Sequence, residues 1–300
     1  MTGQGGRGTA SAVRPRVGVV SLTQGTRPNE LRHGLQSVLQ QRDVDLDVVC
    51  VGNGWDPSDL PDGVRPLYLH ENVGIPAGRN AGAAAVRGDY IFFLDDDASV
   101  PSPTFLIDAV RRFTSDPSLG LIQPQVVDPS GAANPRRWIP RIRKGDPSRS
   151  SAVFSVWEGA TMLPREIFDA IGGWGDPYFY AHEGIELAWR VWDAGRRAWY
   201  DGGLVAHHPA VSPTRHASYI RLNARNRVWL ARRNLPAALR PIYVASWATV
   251  QLVRWWRHPA RLIVWWRGLL EGFRTDCGDS RVMAWLTIAR MALAGRPPVI

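Results

Sequence analysis

Residues 91–97 have the sequence IFFLDDD, in which four large apolar residues run directly into Asp95, Asp96 and Asp97. Consecutive apolar residues of this kind are typical of a short strand that is buried on both faces of a sheet. Because burying an unpaired carboxylate is costly, the three aspartates must face solvent or a cation. Ligands of open α/β sheets bind beyond the carboxyl ends of the strands, and carboxylate oxygens suit Mg²⁺ or Mn²⁺. The stretch therefore predicts either a metal site that serves a phosphate-bearing substrate or an acidic turn that caps the next helix.

Around this stretch the chain alternates short apolar runs with amphipathic segments, a pattern that indicates βαβ units and a mainly parallel sheet. The predicted fold class is therefore α/β, a Rossmann-like sheet with helices on both faces. The polar residues 128–150 are rich in Pro, Gly, Ser and Arg, and we expect them to form a mobile loop that covers the substrate. Strands are predicted over residues 17–22, 46–51, 64–69, 91–94 and 119–127, and helices over 28–39, 76–86 and 101–113.

The composition is that of a globular protein, with 45% hydrophobic and 21% charged residues in a chain of 300. Its two cysteines lack the spacing of a zinc site or a disulfide framework, and no Walker-type phosphate loop is present. Residues 1–15 lack an apolar core and are expected to be a disordered tail and not a signal peptide. No window of about 18 uncharged apolar residues occurs, so no membrane span is predicted. A buried Cys50 would suit a reducing compartment, and we expect a cytoplasmic location.

The last hundred residues differ in charge from the rest of the chain. They carry 15 arginines and four acidic residues, together with seven of the 14 tryptophans, whereas the first 200 residues carry 21 basic and 23 acidic groups. We expect residues 209–300 to form a helical region. Tryptophan and arginine suit the headgroup boundary of an anionic membrane, at its inner face, but the same helices could pack on the preceding domain or in a homo-oligomer. Nucleic acid is the weaker candidate partner, because no nucleic-acid-binding motif accompanies the arginines.

Four segments between Val17 and His208 together resemble the inverting family 2 glycosyltransferases of GT-A fold. Each segment is weak alone, and the resemblance depends on their order and spacing. It extends to bacterial envelope enzymes that transfer rhamnose or galactofuranose, and it implies a GT-A catalytic domain over residues 16–208. The segments are VSLT (residues 20–23), NVGIPAGRNAG (72–82), the aspartate triplet, and a long run from Gly159 to Arg190 that includes GATML, FDAIGGW and FYAHEGIELAWR.

The resemblance implies a site for a divalent metal ion and a nucleotide-diphosphate sugar. Asp95 and Asp97 would hold the Mn²⁺ or Mg²⁺ that neutralises the departing diphosphate, and His207 after the last strand would complete the ligand set. His207 fits the family position better than His208, although the doublet leaves both open. A cation such as Arg79 near a helix start gains nothing from the helix dipole, so a phosphate or nucleobase contact competes with a surface ion pair there. The implied nucleotide-binding residues are Thr23, Asn53, Arg79, Asp95 and Asp96.

The implied catalytic base lies in the sequence EGIE at residues 183–186. Family members usually have Glu-Asp-x-Asp here, so Gly184 stands in place of the second acid and Glu183 is the candidate base. Glu186 would lie on the same face of a helix, where it could also pair with an arginine such as Arg190. Glu158 is the third candidate.

The resemblance implies a metal-dependent, inverting glycosyltransferase that acts by single displacement. Its acceptor would be a cell-envelope glycan or a lipid-linked saccharide. Gly52 stands where family members often have an aspartate that contacts the nucleobase, so the nucleobase stays open. The alternatives are a nucleotidyltransferase and a non-catalytic protein that keeps the fold.

Overall fold

A computed structural model describes residues 13–141, 143–210 and 218–299, and the tail predicted at residues 1–15 lies outside this part up to residue 12. The described residues contain one sheet, whose strands are β1 (Arg16–Thr23), β2 (Asp45–Asn53), β3 (Val64–Leu69), β4 (Tyr90–Asp95), β5 (Leu119–Val127), β6 (Ser151–Val153), β7 (Ala160–Pro164) and β8 (Arg197–His207). Their order is β3-β2-β1-β4-β7-β5-β8-β6. Strands β1 to β4 pair in parallel, as do β5 and β8, whereas β7 runs antiparallel to β4 and β5, and β6 to β8. The predicted mainly parallel sheet is confirmed.

Helices cover both faces of the sheet, as the apolar runs predicted. Phe92 and Leu94 point into one core with α1 (Pro28–Leu39) and α3 (Phe105–Ser115). Ile91 and Phe93 point into the opposite core, because successive side chains of a strand alternate between faces. This second core holds α2 (Ile75–Ala85), α4 (Arg165–Ala170) and α5 (Glu183–Asp193).

Helix α3 begins four residues later than predicted. The predicted start at Pro101 is followed by Ser102 and Pro103, and the residue before a proline is disfavoured in the α conformation. The helix therefore begins only at Phe105, beyond the second proline. This delay lengthens the segment between the aspartate triplet and α3.

Four further helices follow β8 and its connection: α6 (Tyr219–Asn234), α7 (Arg240–Trp255), α8 (Pro259–Arg274) and α9 (Trp285–Leu293). Trp229 and Leu230 of α6 and Met291 of α9 share one core with Trp189 of α5. Tyr243 of α7 belongs to the same core, so α6, α9 and part of α7 pack on the preceding domain, one of the two alternatives for this region. Helices α7 and α8 leave large apolar side chains exposed. No helix in the described part of the chain has both the length and the apolarity to span a bilayer.

Candidate active site at the carboxyl edge of the sheet

The predicted site residues come together where β1, β2 and β4 end. Thr23 pairs with Gly52 in the parallel register of β1 and β2, and Leu22 pairs with Asp95 across β1 and β4. Thr23, Asn53 and Asp95 are thus the last residues of three neighbouring strands. This edge is the place where open α/β sheets bind ligands.

The three aspartates have different partners. Asp95 accepts a hydrogen bond of 2.6 Å from Arg79, and Asp96 accepts one of 2.7 Å from the Thr23 hydroxyl. Burial raises the pKa of Asp96, although Arg27 and Thr23 oppose that effect. The Asp97 side chain is nearly inaccessible, forms an ion pair with Arg27 and lies beside the His208 ring. The triplet is therefore three separate carboxyl groups, of which Asp96 is tied to the end of β1.

Asp95, Asp97 and His208 form the group that could hold a metal ion. One ligand atom from each lies within 4.8 Å of the others, and His208 Nε2 is 2.9 Å from Asp97 Oδ1. Burial lowers the pKa of His208, which favours the neutral imidazole that binds metals. Two carboxylates and a neutral imidazole suit a divalent ion of the Mn²⁺ type. The residues present therefore fit the expected metal.

The structure brings His208, and not the preferred His207, to Asp95 and Asp97. The His207 backbone pairs with Ser99, and the pKa of His207 is lowered by burial and by the nearby His33 of α1, which places its ring on the α1 side. A shift of one residue along a strand moves the side chain to the other face, so only one histidine of the doublet can reach the aspartates. The His208 ring is instead held edge-on by Trp138 and Trp157, at centroid distances of 5.6 and 4.8 Å.

The predicted covering loop at residues 128–150 is described apart from residue 142. Trp138 lies in its short 3-10 turn, Arg136–Trp138, and is fully buried against His208. Through Trp138, this loop thus packs against one residue of the group that could hold a metal ion.

Arg79 lies between the aspartates and the candidate base. It belongs to the first half of α2, is 3% exposed, and stacks on Trp174 with 4.8 Å from its guanidinium carbon to the ring centroid. One of its nitrogens donates to Asp95, while its NH1 has no hydrogen-bond partner among the described residues. A buried cation with an unused donor is suited to an anionic ligand.

The Asn53 side chain is hydrogen-bonded to the loop that precedes α2. Its amide nitrogen donates to Asn72 Oδ1 and to the Gly74 carbonyl, and its oxygen accepts the Val73 N–H. The side chain is therefore engaged by the loop that precedes α2, and the nucleotide contact predicted for it stays a prediction. The backbone also explains why residue 52 is a glycine, since a Cβ at Gly52 would collide with the carbonyl oxygen of Trp55.

Glu183 is the first residue of α5 and is buried, with its Oε2 unpartnered within the described residues. Burial, followed by the charge of Glu158, raises the pKa of Glu183 to about 8. The backbone just before it is strained, because Ala181 and His182 have φ values of 69° and 79°. A carboxyl group that titrates near neutral pH in a buried site is suited to general-base catalysis.

Glu186 is excluded as the base by its partners. It is fully buried and pairs with Arg190, the partner considered from the sequence, at 3.1 Å. It also accepts hydrogen bonds of 2.8 Å from Arg233 and 2.7 Å from Asn234, both on α6. The carboxylate is saturated, so its function is to join α5 to α6.

Sequence reasoning missed Arg27, which forms ion pairs with Asp96 and Asp97 from the residue before α1. The available signal was an arginine directly before the Pro-initiated helix that follows β1. Nothing in the local sequence connected it with carboxylates 70 residues away.

Comparison with known proteins agrees with this geometry. Residues 26–172 match the model of glycosyl transferase family 2. A pre-mycofactocin glycosyltransferase of Mycobacterium tuberculosis is 28% identical over 153 residues, which cover 48% of this chain and 32% of that protein. The match thus spans about a third of the length of that curated relative.

Solved structures share the fold. GalNAc-T7, crystallised with UDP, GalNAc and Mn²⁺, is 13% identical with a TM-score of 0.60 over 96% of this chain and 59% of that one. A mannosyltransferase of Pyrobaculum calidifontis in complex with GDP-Man and Mn²⁺ is 19% identical with a TM-score of 0.56 over 96% of this chain and 83% of that one. By its sequence match and its GT-A fold, the chain carries a glycosyl transferase family 2 domain over residues 26–172.

Proposed function

We propose that this protein is a metal-dependent, inverting glycosyltransferase that uses a nucleotide-diphosphate sugar. The observation that carries the proposal is the position of Arg79. It donates a hydrogen bond to Asp95 of the metal group, and its charge partly offsets the rise that burial causes in the pKa of Glu183. One edge of the sheet therefore holds both a site for a leaving diphosphate and a base for the attacking hydroxyl.

The chemistry is a single displacement. Glu183 accepts the proton of an acceptor hydroxyl, whose oxygen forms a bond to the anomeric carbon as the bond from that carbon to the phosphate oxygen breaks. The electron pair of the broken bond stays on the diphosphate, beside Arg79. A divalent ion held by Asp95, Asp97 and His208 would supply Lewis-acid stabilisation of that diphosphate.

The nature of the donor is supported by the structural relatives. GalNAc-T7 holds UDP and Mn²⁺, and the Pyrobaculum mannosyltransferase holds GDP-Man and Mn²⁺. Thr23 and Asp96 at the strand ends and Arg79 of α2 are the residues we assign to the nucleotide, with Asn53 shaping the loop beside them. Because Gly52 has no side chain to contact a nucleobase, the experiment has to identify the nucleobase.

The test is a screen of UDP-, GDP- and dTDP-sugars with Mn²⁺, read first as a thermal shift and then as product release. We expect one donor to raise the Tm only when metal is present, because a ligand stabilises the folded state that binds it. That donor should yield a free nucleoside diphosphate. Pyrophosphate as the product would indicate a nucleotidyltransferase, and donor binding without any turnover would indicate the non-catalytic alternative.

We propose further that helices α7 and α8 bind an anionic membrane surface and so bring the enzyme to a lipid-linked or cell-envelope acceptor. The exposed side chains of Val253, Trp256 and Ile263 give these helices an apolar face. A cavity of about 700 Å³ between α6, α7 and α8 continues it, lined by residues such as Leu252 and Phe273. Apolar and aromatic side chains interleaved with arginines match the chemistry of an anionic interface. The arginines near the exposed face include Arg254, Arg257, Arg261 and Arg267.

Flotation with phosphatidylcholine vesicles, with and without phosphatidylglycerol, tests this surface. We expect binding to the anionic vesicles at low salt, loss of binding at high salt, and weaker binding for Trp256→Ser. Tyr68→Ser is the matched control, since Tyr68 is an exposed aromatic residue on β3. A stable dimer in sedimentation together with no vesicle binding would assign the face to a second copy of the chain.

A further inference from the structure

The Glu158 carboxylate occupies the space that a side chain at residue 184 would need. A Cβ built at Gly184 would collide with Glu158 Oε1, and it would lie 2.5 Å from the carbonyl oxygen of Val156. The Gly184 N–H donates to that same Glu158 Oε1 over 2.9 Å, and its carbonyl accepts from the Val156 N–H over 3.3 Å. The segment before β7 is thus held against the first turn of α5, and only glycine at residue 184 permits the contact.

Glu183 is buried and Glu158 is partly buried, and they approach the site from different elements. Glu183 lies at the start of α5, whereas Glu158 lies in the segment that leads to β7. The charge of Glu158 contributes to raising the pKa of Glu183, and the charge of Arg79 acts on both carboxyl groups. Because Glu158 accepts the N–H of the residue next to Glu183, the two carboxyl groups are neighbours, and like charges that interact in a site shielded from solvent are costly to ionise together.

We propose that Glu158 fills the space of the acid that Gly184 replaces and forms with Glu183 a two-carboxyl unit that shares one proton. This inference rests on the proposed function. Glu183, with its unpartnered Oε2, takes the proton from the acceptor hydroxyl. Glu158 is a positioning residue, because it holds the first turn of α5 and sets the pH at which Glu183 accepts that proton.

The groups that face this unit come from several elements. Arg79 of α2 and Asp95 of β4 act on both carboxyl groups, and His182 precedes Glu183 on its own turn. Burial raises the pKa of Tyr219 at the start of α6, and the charge of Glu158 adds to that rise. Burial lowers the pKa of His182 well below its usual range, so this histidine stays neutral where the carboxyl pair titrates.

Glu158→Gln separates the proposed unit from a purely structural function, since glutamine keeps an oxygen that accepts the Gly184 N–H and loses only the charge. The Tm of this variant should exceed the wild-type Tm by an amount that increases from pH 5 to pH 9. The reason is that repulsion between the two carboxylates destabilises the folded wild type only when both are ionised. A difference in Tm that does not depend on pH would overturn the proposal. Glu166→Gln, an exposed acid on α4, is the control.

The second readout is the pH profile of nucleoside diphosphate release from the donor found in the screen. Removing the negative charge of Glu158 should move the acid limb of this profile to lower pH, because the neighbouring charge disfavours ionisation of Glu183. An acid limb that stays in place would overturn the proposal. If the wild type releases no nucleoside diphosphate from any donor, the proposed function fails, while the pH dependence of the Tm still tests the carboxyl pair.

Discussion

His208 Nε2 lies 2.9 Å from Asp97 Oδ1, and this contact joins the residue after the last strand of the sheet to the residue two positions beyond β4. The His208 ring is fixed by Trp138 and Trp157, so its orientation does not depend on a ligand. An oriented, neutral imidazole beside two carboxylates is a preorganised donor set for a divalent ion.

His208→Ala should weaken Mn²⁺ binding by roughly tenfold to 100-fold, the range typical of changes around a metal site. The adjacent His207→Ala provides the matched control, since that ring lies on the α1 side and should leave metal binding unchanged. The measurement is the Mn²⁺ dependence of the thermal shift with UDP or GDP present. An equal loss in both variants would remove His208 from the ligand set.

Glu186→Ala should destabilise the protein by about 3–5 kcal/mol, the usual cost of leaving a buried charge without its partner. The carboxylate holds Arg190 of α5 and Arg233 of α6, so its loss also separates the C-terminal helices from α5. Denaturant unfolding gives the free energy of unfolding directly. Glu271→Ala breaks the partly exposed pair with Arg221 and should cost only about 0–1 kcal/mol. Similar costs for both variants would contradict the structural function of Glu186.

Much of the sheet could be predicted from the sequence, because its strands are apolar runs that alternate between two cores. β3 and β5 have the predicted bounds, as does α1, which begins at a proline. The aspartate triplet was placed correctly at the end of β4 because that strand is buried on both faces and its end must leave the core.

What could not be predicted are contacts between distant parts of the chain. Glu186 has partners 47 and 48 residues away on α6, and Arg27 reaches the triplet from the start of α1. The choice between His207 and His208 depends on a single residue of register in β8, which periodicity does not determine. Gly184 appeared as a missing acid, and only the structure places Glu158 in the space beside it.

Arg79→Lys should weaken nucleotide binding even though the positive charge is kept. Lysine has no planar group to stack on Trp174, and a single ammonium cannot hold Asp95 and face a diphosphate in the same geometry. Calorimetric titration with UDP or GDP and Mn²⁺ should show a loss of about tenfold or more, of the size of one charge-assisted hydrogen bond. Arg111→Lys is the control, since Arg111 forms an exposed pair on α3. An unchanged affinity would show that Arg79 acts only on Asp95.

Glu183→Gln should stabilise the protein while slowing transfer. In the folded chain the pKa of Glu183 is raised from 4.5 to about 8, so between these values unfolding releases a proton and the stability of the wild type falls as the pH rises. Glutamine does not titrate. The variant should therefore match the wild type near pH 4 and exceed it most at pH 8 and above, by on the order of 1 kcal/mol or about 2–4 °C in Tm.

The activity of the same variant should fall by about 10²–10⁴-fold, the usual contribution of a general base. Higher stability with lower activity in one substitution is expected only where a buried charge is kept for catalysis, because a structural carboxylate would lose both together. Tm measured across the pH range, together with nucleoside diphosphate release at pH 8, distinguishes the two cases. A variant that is both less stable and inactive would place Glu183 with Glu186 among the carboxylates that hold α5.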